Sequence, residues 1–498
     1  MNQYVILTVV LPLLAAFLLP SAGRFSFSIA RLIAPLVLLF STYLLIDVFI
    51  SNTEPFVLHI GDFIAPQGIA FYIDELALIM ALAVQIFALL LWPWKAPGSD
   101  TNSSASVKQL SLMLLLVSSA NGLAFSGDLF NLYVFYELLA VATYGLIAYN
   151  PNNDSGFDTG FDTGFAAAFR YLIVSATGSV LALVGISLIY FLTGTLNFAH
   201  LATLQTTLYN PIGLTAFILI LVGFGVKAEL FPVNSWVPEV YSATSRRLSA
   251  LLAGVISKLA VLVIIKVMLF IFPYDEARQF VLILGLAGVI VGELSALKAN
   301  DFTRMISWSS VGQLGLVFVA FSIPGKAGII AGLAVMFHHM LTKPALFLIA
   351  EKWGGNFSLL NGQGRKTWLL SAAFVIIALS IIGVPPLPGF WAKFLLLTGL
   401  ADNTAYLAMI VILIMTVIEA FYLFRVFNHL YGTETDTSGN ILRHSFLDQL
   451  TVSVLTVLLL VSVVELETVN IMLNSMTDQL TDLNGYIARV LGSSGAGI

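Results

Sequence analysis

Residues 211–244 read PIGLTAFILILVGFGVKAELFPVNSWVPEVYSAT. The stretch is apolar enough for lipid, yet it is 34 residues long, and a straight spanning helix needs roughly 20. Lys227, Pro232 and Pro238 stand inside it. Proline removes a backbone donor and clashes with the preceding turn, so Pro232 marks a break. Backbone left unpaired at membrane depth must face protein or a wet cavity. Helices interrupted in this way are the usual pointer to an ion site in membrane transporters. A second stretch, residues 367–402, has the same character and contains Gly383, Pro385, Pro386, Pro388, Gly389 and Lys393. Each of the two predicted broken helices thus carries a lysine close to its break.

The surrounding composition fits that reading. The chain is 59% hydrophobic and 10% charged, against roughly 25% charged residues in a soluble domain. Most of its surface must therefore face lipid. The net charge of −5 says nothing about nucleic acid, no basic tract or aromatic-basic stripe occurs, and no nucleic-acid partner is expected. Cysteine is absent, so disulfides, thiolate metal sites and cysteine-ligated iron–sulfur clusters are excluded.

Outward from the two breaks, apolar segments lie near 4–22, 28–51, 73–94, 108–126, 129–149, 166–193, 247–271, 278–298, 302–322, 326–350, 405–429 and 446–466. With the two broken segments they make fourteen, and they predict an all-α membrane protein. The N-terminal run MNQYVILTVVLPLLAAFLLPSAGR has no basic residue ahead of its apolar core, so it reads as a first spanning helix rather than a signal peptide. With the N-terminus outside, fourteen of the 22 basic residues fall in inner loops, among them Lys95, Arg246, Arg365 and Arg443, and only Arg278, Lys326 and Arg489 fall outside. That bias predicts a multi-pass protein of a bacterial or archaeal inner membrane with both termini outside. GFDTGFDTGF at 156–165 is a short duplication without an assigned function. The tail near 467–498 is expected to be a surface helix followed by disorder.

The spacing of the breaks carries a further expectation. Taking helices 4–8 and 9–13 as two sets of five, the broken helix is the fourth in each. Five is odd, so the second set runs inverted relative to the first. The expected organisation is residues 1–107 for three N-terminal helices, 108–271 and 272–430 for two inverted five-helix repeats, and 431–498 for helix 14 and a short tail.

Five basic residues remain, Lys227, Lys258, Lys266, Lys343 and Lys393, and all fall inside predicted spans. A charge at the bilayer centre costs about 2.5–3.5 kcal/mol on insertion scales. Lys266 lies near the end of its helix, where a lysine can snorkel to the interface. Lys227 and Lys343 lie too deep for that. Lysine suits a relay because its proton affinity responds readily to burial. Glu137, in FNLYVFYELLAVATYG, is a lone carboxylate among apolar neighbours and needs a buried cation to stay charged. Glu229 is two residues from Lys227, and side chains two apart diverge on a helix. Lys258 is the next station after Lys227. In VMFHHMLTKPALF, His339 and Lys343 are four apart and share a face, while His338 is less well aligned; Pro344 allows local opening. Histidine exchanges protons near neutral pH, and adjacent histidines diverge, so no metal is expected. Lys393 follows the second break as an exit station, or as an anchor for carbonyls freed there. Glu293 and Glu419 are secondary candidates as cation ligands, partner contacts or packing pairs, and Glu419 is expected to face Arg425.

In combination, Glu137 in YELL, Lys227 in KAELFPVNSWVPE, DFTRMISWSSVGQLG, HHMLTKPALF and PPLPGFWAKF resemble the antiporter-like subunits. That family includes the D-type chains of Mrp-type cation/proton antiporters and the proton-pumping membrane subunits of complex I and of membrane-bound hydrogenases. The resemblance covers roughly residues 70–430. It implies fourteen helices, the inverted repeat and a hydrated lysine/histidine axis at mid-membrane. It further implies that Glu137 and Lys227 form a switching ion pair, that Lys258 is the central relay, and that His338 and Lys343 bridge toward Lys393. Lysine at 393, where some complex I subunits carry glutamate, and the short tail favour the D-type or the smallest complex I type; KAELFP is more D-like. YSATSRRLSALL departs from the proline-containing run usual after the first break, and Arg170 stands where lysine is common.

The expected function is proton translocation in a multisubunit cation (Na+)/proton antiporter, beside other membrane subunits and with protons and a monovalent cation as cargo. No cofactor, metal or redox centre is expected, which makes the chain a transporter subunit rather than an enzyme. A redox-driven pump of the complex I or hydrogenase type is the close alternative, and a non-conducting membrane scaffold the distant one.

Overall fold

The computed structural model describes residues 4–52, 54–93, 103–148, 163–353, 355, 357–432 and 446–492. Lys95, Arg443, residues 156–162 of the duplication and the last six residues lie outside them. Every apolar segment read from the sequence holds helix. Helices α1 (Tyr4–Phe25) and α2 (Phe27–Ser51) meet at Ser26, whose side chain caps α2. A hairpin of β1 (Phe56–His59) and β2 (Ala70–Ile73) follows, antiparallel with Phe56 opposite Ile73. The apolar pattern gave no sign of it, because four-residue strands are too short to show a period. Asp74 then caps α3 (Glu75–Leu90), accepting from the Ala77 backbone N–H at 2.7 Å. Next come α4 (Ser103–Phe125), α5 (Leu129–Ala148) and α6 (Thr163–Thr193), with Asp128 capping α5. Two short helices, α7 (Phe198–Thr203) and α8 (Gln205–Leu208), precede α9 (Pro211–Gly225). Asn210 caps α9 and Pro211 opens it, the usual chemistry where the first backbone donors have no helical partner.

The first break is real. Residues 226–236 leave the helix before α10 (Val237–Ala243) and α11 (Arg246–Leu251). A π-helical turn at Leu252–Ile256 runs into α12 (Ser257–Phe270). Then come α13 (Asp275–Lys298), α14 (Phe302–Ser322) and α15 (Gly325–Trp353), the last passing through Pro344 unbroken. The one-turn helices α16 (Phe357–Leu360) and α17 (Gln363–Lys366) lead to α18 (Trp368–Ile382). Gly383, at φ +92°, ends α18 in the left-handed conformation that only glycine adopts freely. Pro388 opens α19 (Pro388–Asp402), so the second break spans residues 383–387, with Pro385 and Pro386 inside it. The chain finishes with α20 (Tyr406–Tyr431), α21 (Phe446–Val464), α22 (Leu466–Thr481) and α23 (Leu483–Leu491).

Eleven helices among the described residues are long and apolar enough to cross a membrane, with Arg246–Phe270 taken as one run; α3, α9 and α18 are apolar but shorter. Phe17, Phe191, Leu407 and Phe421 are each at least 66% exposed. Lipid is the solvent that accepts such side chains on so many helices.

The chain divides into two compact units. The first comprises Met1–Val226, Leu259–Tyr274 and Asp478–Ile498. In it, Ser118 and Asn121 on α4 donate to the carbonyls of Val9 and Thr8 on α1, at 2.7 and 3.0 Å. Such polar contacts hold helices together where lipid supplies no hydrophobic drive. Gly178 and Gly223 let α6 and α9 touch: a Cβ on Gly223 would lie 2.4 Å from the Gly178 carbonyl oxygen. The tail does not simply lie on the surface. Tyr486 on α23 is buried, edge-on to Tyr72 at 4.5 Å and stacked on Phe270 at 4.9 Å.

The second unit comprises Lys227–Lys258 and Asp275–Thr477. In it α13 and α14 pack closely, where Gly285 and Gly292 meet Gly315 and Gly312; a Cβ on Gly292 would lie 2.4 Å from the Gly312 nitrogen. Asp448 on α21 ties that helix to Arg247 at 2.7 Å and to Lys352 at 3.3 Å.

Candidate functional site

The second unit gathers most of the ionisable side chains singled out in the sequence. At its second break, Gly383 terminates α18 and frees the last carbonyls of that helix. Lys393, on the second turn of α19, reaches back to the Ile382 carbonyl at 3.5 Å. The same ammonium donates to Glu419 Oε2 on α20 at 2.5 Å and to Thr416 Oγ1 at 3.4 Å. Lys393 is thus an anchor for the break and, at the same time, one half of a buried ion pair. Glu419 accepts a second hydrogen bond from Gln313 on α14, at 2.5 Å. Arg425, the partner expected for Glu419, is engaged elsewhere. It donates to the Leu297 and Ala299 carbonyls at the end of α13, at 2.9 and 3.2 Å, and lies over the Phe357 ring. Those carbonyls are helix-terminal orphans, which a guanidinium satisfies better than a carboxylate six residues away.

Lys343 on α15 is fully buried and donates to Ser309 Oγ on α14 at 2.6 Å. Ser309 in turn lies 2.8 Å from the Tyr422 hydroxyl, which donates to Glu293 Oε2 at 2.8 Å. The two histidines of α15 point different ways, as adjacent helical residues must. His338 Nε2 meets Ser380 Oγ at 2.9 Å, and that oxygen also accepts the Gly389 backbone N–H at 3.2 Å across the second break. His339 faces α14 instead, 3.5 Å from Ser310. Both rings are buried and within electrostatic range of Lys343.

At the first break, Glu229 takes a left-handed backbone, φ +56°, and is buried. That conformation is unusual for a residue with a side chain, and it arises where the helix has unwound. Glu229 accepts from the Tyr241 hydroxyl at 2.7 Å and is within electrostatic range of Lys258 and Lys343. Lys258 is fully buried and does not reach for the interface. Its ammonium donates to the Ala253 carbonyl, inside the π-helical turn, and to Ser257 Oγ at 3.3 Å. A π turn misaligns the backbone ladder and leaves a carbonyl open for such a donor. Lys227 is buried within the unwound segment itself.

The first unit holds two more. Glu137 on α5 is half-buried and accepts from Ser179 on α6. Lys266 does not snorkel: it is 4% exposed and donates to the Ala124 carbonyl at the end of α4, at 3.2 Å, within electrostatic range of Asp74. Its tether is the helix terminus of a neighbour, which sequence spacing cannot reveal.

Five side chains in the second unit were not singled out in the sequence: Tyr241, Ser309, Gln313, Ser380 and Tyr422. For Tyr422 a signal existed, since it follows Glu419 by three residues and so shares its helix face. Ser309 sits in the serine-rich WSSVGQ stretch of a predicted spanning segment. Nothing local marks Ser380, whose partner comes from a distant helix, or Tyr241, which meets Glu229 across the unwound segment.

The profile of the family described as NADH:quinone oxidoreductase/Mrp antiporter, TM, matches residues 126–419. The chain is 31% identical to the N chain of the NADH-quinone oxidoreductase of Desulforudis audaxviator, with 86% of each chain covered. It is 30% identical to the D chain of the Na(+)/H(+) antiporter of Alkalihalophilus pseudofirmus, covering 87% of this chain and 88% of that one. Its structure is similar to a chain of the membrane-bound sulfane sulfur reductase, an archaeal respiratory membrane complex, with a TM-score of 0.88 and 27% identity over 98% of this chain and all of that one. The match spans both breaks and the helices that carry their lysines, and the chain belongs to the NADH:quinone oxidoreductase/Mrp antiporter transmembrane family.

Proposed function

We propose that this chain is the proton-translocating membrane subunit of a multisubunit Mrp-type cation/proton antiporter, working through Glu137, Lys227, Lys258, His338, Lys343 and Lys393. The observation that carries the reading is the set of buried cationic side chains in the second unit, Lys258, Lys343 and Lys393, each within reach of a buried carboxylate or histidine. Burying one such ammonium costs several kcal/mol. A fold that needed only packing would gain more from leucine. A proton carrier needs groups that change protonation state inside the membrane without leaving it, and paired amines and carboxylates do that. The antiporter relative from Alkalihalophilus pseudofirmus supports the antiporter reading. Replacing Lys227 or Glu137 by alanine is expected to abolish cation-dependent proton exchange in vesicles while the complex still assembles; normal exchange by both assembled variants ends the proposal.

A second reading, the same relay driven by a redox arm, is favoured by the oxidoreductase relative and by the respiratory-complex neighbour. The driving subunits are other chains, so the proteins that co-purify decide: iron–sulfur or flavin proteins mean the redox pump, small hydrophobic ones the antiporter. A non-conducting scaffold would tolerate loss of every buried lysine.

We place the protein in a bacterial or archaeal cell membrane with both termini outside, on the strength of its basic inner loops. Residues 108–271 and 272–430 are proposed as the inverted five-helix repeats, with one break in each. Because the chain lacks cysteine, single cysteines read topology without background. A cysteine at position 2 or 489 is expected to react with an impermeant maleimide from outside, and one at 365 only after the cells are opened. The reverse pattern overturns the orientation.

A further inference from the structure

We infer that the relay branches at Lys343: Ser309 and Tyr422 carry a proton from its ammonium to Glu293, which serves as a loading station on α13. The inference rests on the proposed relay and extends it to residues outside its main line.

The geometry is a run of three short hydrogen bonds. Lys343 Nζ lies 2.6 Å from Ser309 Oγ, Ser309 Oγ 2.8 Å from the Tyr422 hydroxyl, and that hydroxyl 2.8 Å from Glu293 Oε2. The direction of transfer follows from its two ends. An ammonium can only donate and a carboxylate can only accept, while serine and tyrosine each have one proton to give. The Tyr422 hydroxyl is placed to donate to either Ser309 Oγ or Glu293 Oε2; with one proton to give, it serves Glu293 during transfer, and the Ser309 hydroxyl turns to donate to Tyr422, which aligns the run from α15 toward α13. All four side chains are at most 3% exposed, so bulk water does not compete for the bonds.

The carboxylate end is shaped for its task. Glu293 Oε1 lies 2.2 Å from where a Cβ on Gly312 would stand. Only a residue without a side chain leaves the carboxylate that place against α14. No lysine or arginine among the described residues forms an ion pair with Glu293, in contrast to Glu419, which holds Lys393. Glu419 and Glu293 thus divide two tasks: one neutralises the lysine at the second break, the other faces a hydroxyl that can hand it a proton.

The step balances. The Nζ–H bond of Lys343 breaks as Ser309 Oγ takes that proton, the former Ser309 proton moves to Tyr422, and the former Tyr422 proton forms a new O–H bond on Glu293. Ammonium and carboxylate become amine and carboxylic acid. Net charge is unchanged, no electron moves and both hydroxyls end neutral. Lys343 is then free to accept a second proton while the Lys393–Glu419 pair stays intact.

The test uses the purified complex in liposomes, with a sodium gradient for exchange and infrared difference spectroscopy after a pH jump. In the unaltered complex a carboxylic-acid carbonyl band should appear and be absent in Glu293→Gln. Tyr422→Phe keeps the ring and removes only the bridging oxygen. It should delay or abolish that band and slow exchange by about 10²-fold or more, the scale of one lost proton-transfer group. Ser309→Ala cuts the same run at another atom and should do the same, which a packing role for the tyrosine ring would not. Unaltered exchange and an unaltered band in either variant overturn the branch. If that occurs while Lys343→Ala is inactive, the main relay stands; if Lys343→Ala also exchanges normally, the relay falls and the branch with it.

Discussion

Replacing Lys343 by alanine is expected to bring cation-dependent proton exchange to background, a loss on the order of 10²-fold or more, in a complex that still assembles. Lys343 is within electrostatic range of Glu229 at the first break and of Glu293 and Glu419 near the second. Without it, a proton arriving at Lys258 loses the α15 amine within its electrostatic range. The replacement that separates a relay from a counter-ion is Lys343→Arg. Arginine keeps the positive charge beside the same carboxylates but does not give up its proton in a protein. A structural counter-ion would be rescued by arginine and a relay would not. Lys343→Arg is therefore expected to assemble at the level of the unaltered chain and to exchange at background. Exchange near the unaltered rate in Lys343→Arg would reduce Lys343 to a counter-ion.

The second large effect is on stability. Glu419→Gln should destabilise the protein by about 3–5 kcal/mol, the usual cost of leaving one member of a buried ion pair without its partner. Lys393 and Glu419 are 11% and 2% exposed at the side chain, so solvent screens the pair little. The glutamine amide makes matters worse than loss of charge alone. Glu419 now accepts from Lys393 with one oxygen and from Gln313 with the other; a glutamine there has one oxygen and must turn two donors toward one of them. Lys393→Met should cost a similar amount by stranding the carboxylate. The double variant Lys393→Met, Glu419→Gln removes both charges and should recover much of the loss, because a neutral pair avoids the desolvation penalty. Its thermal unfolding in detergent is expected to lie above that of either single variant, while its exchange stays at background. A double variant no more stable than the singles would show that the pair does not account for the destabilisation.

The two intramembrane glutamates have different surroundings. Glu293 lies against the glycine seam of α13 and α14, where backbones touch and only small residues fit. Glu419 lies on α20, beside the second break, where Gly383 and Pro385 leave a carbonyl and an ammonium to be satisfied. The same side chain thus meets a hydroxyl in one place and an ammonium in the other.

Much of this was legible in the amino-acid order. Apolar length alone located the helices, because lipid demands a minimum span and backbone must pair within it. Proline and glycine located both breaks, because their effect on the backbone is local. The buried lysines stood out because charge inside an apolar run is costly and therefore rare. Partner choice was not legible. Lys393 holds Glu419, 26 residues away, and His338 holds Ser380, 42 away. Glu229 turns to Tyr241 only because its backbone has left the helix. Lys258 finds its carbonyl in a π turn that no residue in LAGVI announces. Arg425 and Lys266 went to helix-terminal carbonyls of neighbouring helices rather than to acids or headgroups. Sequence determined where the chain crosses lipid, where it breaks and which charges it must bury, since each follows from the chemistry of adjacent residues. Only tertiary packing decided which buried group meets which, since hydrogen bonds act over about 3 Å and their geometry is set by helices far apart in the chain.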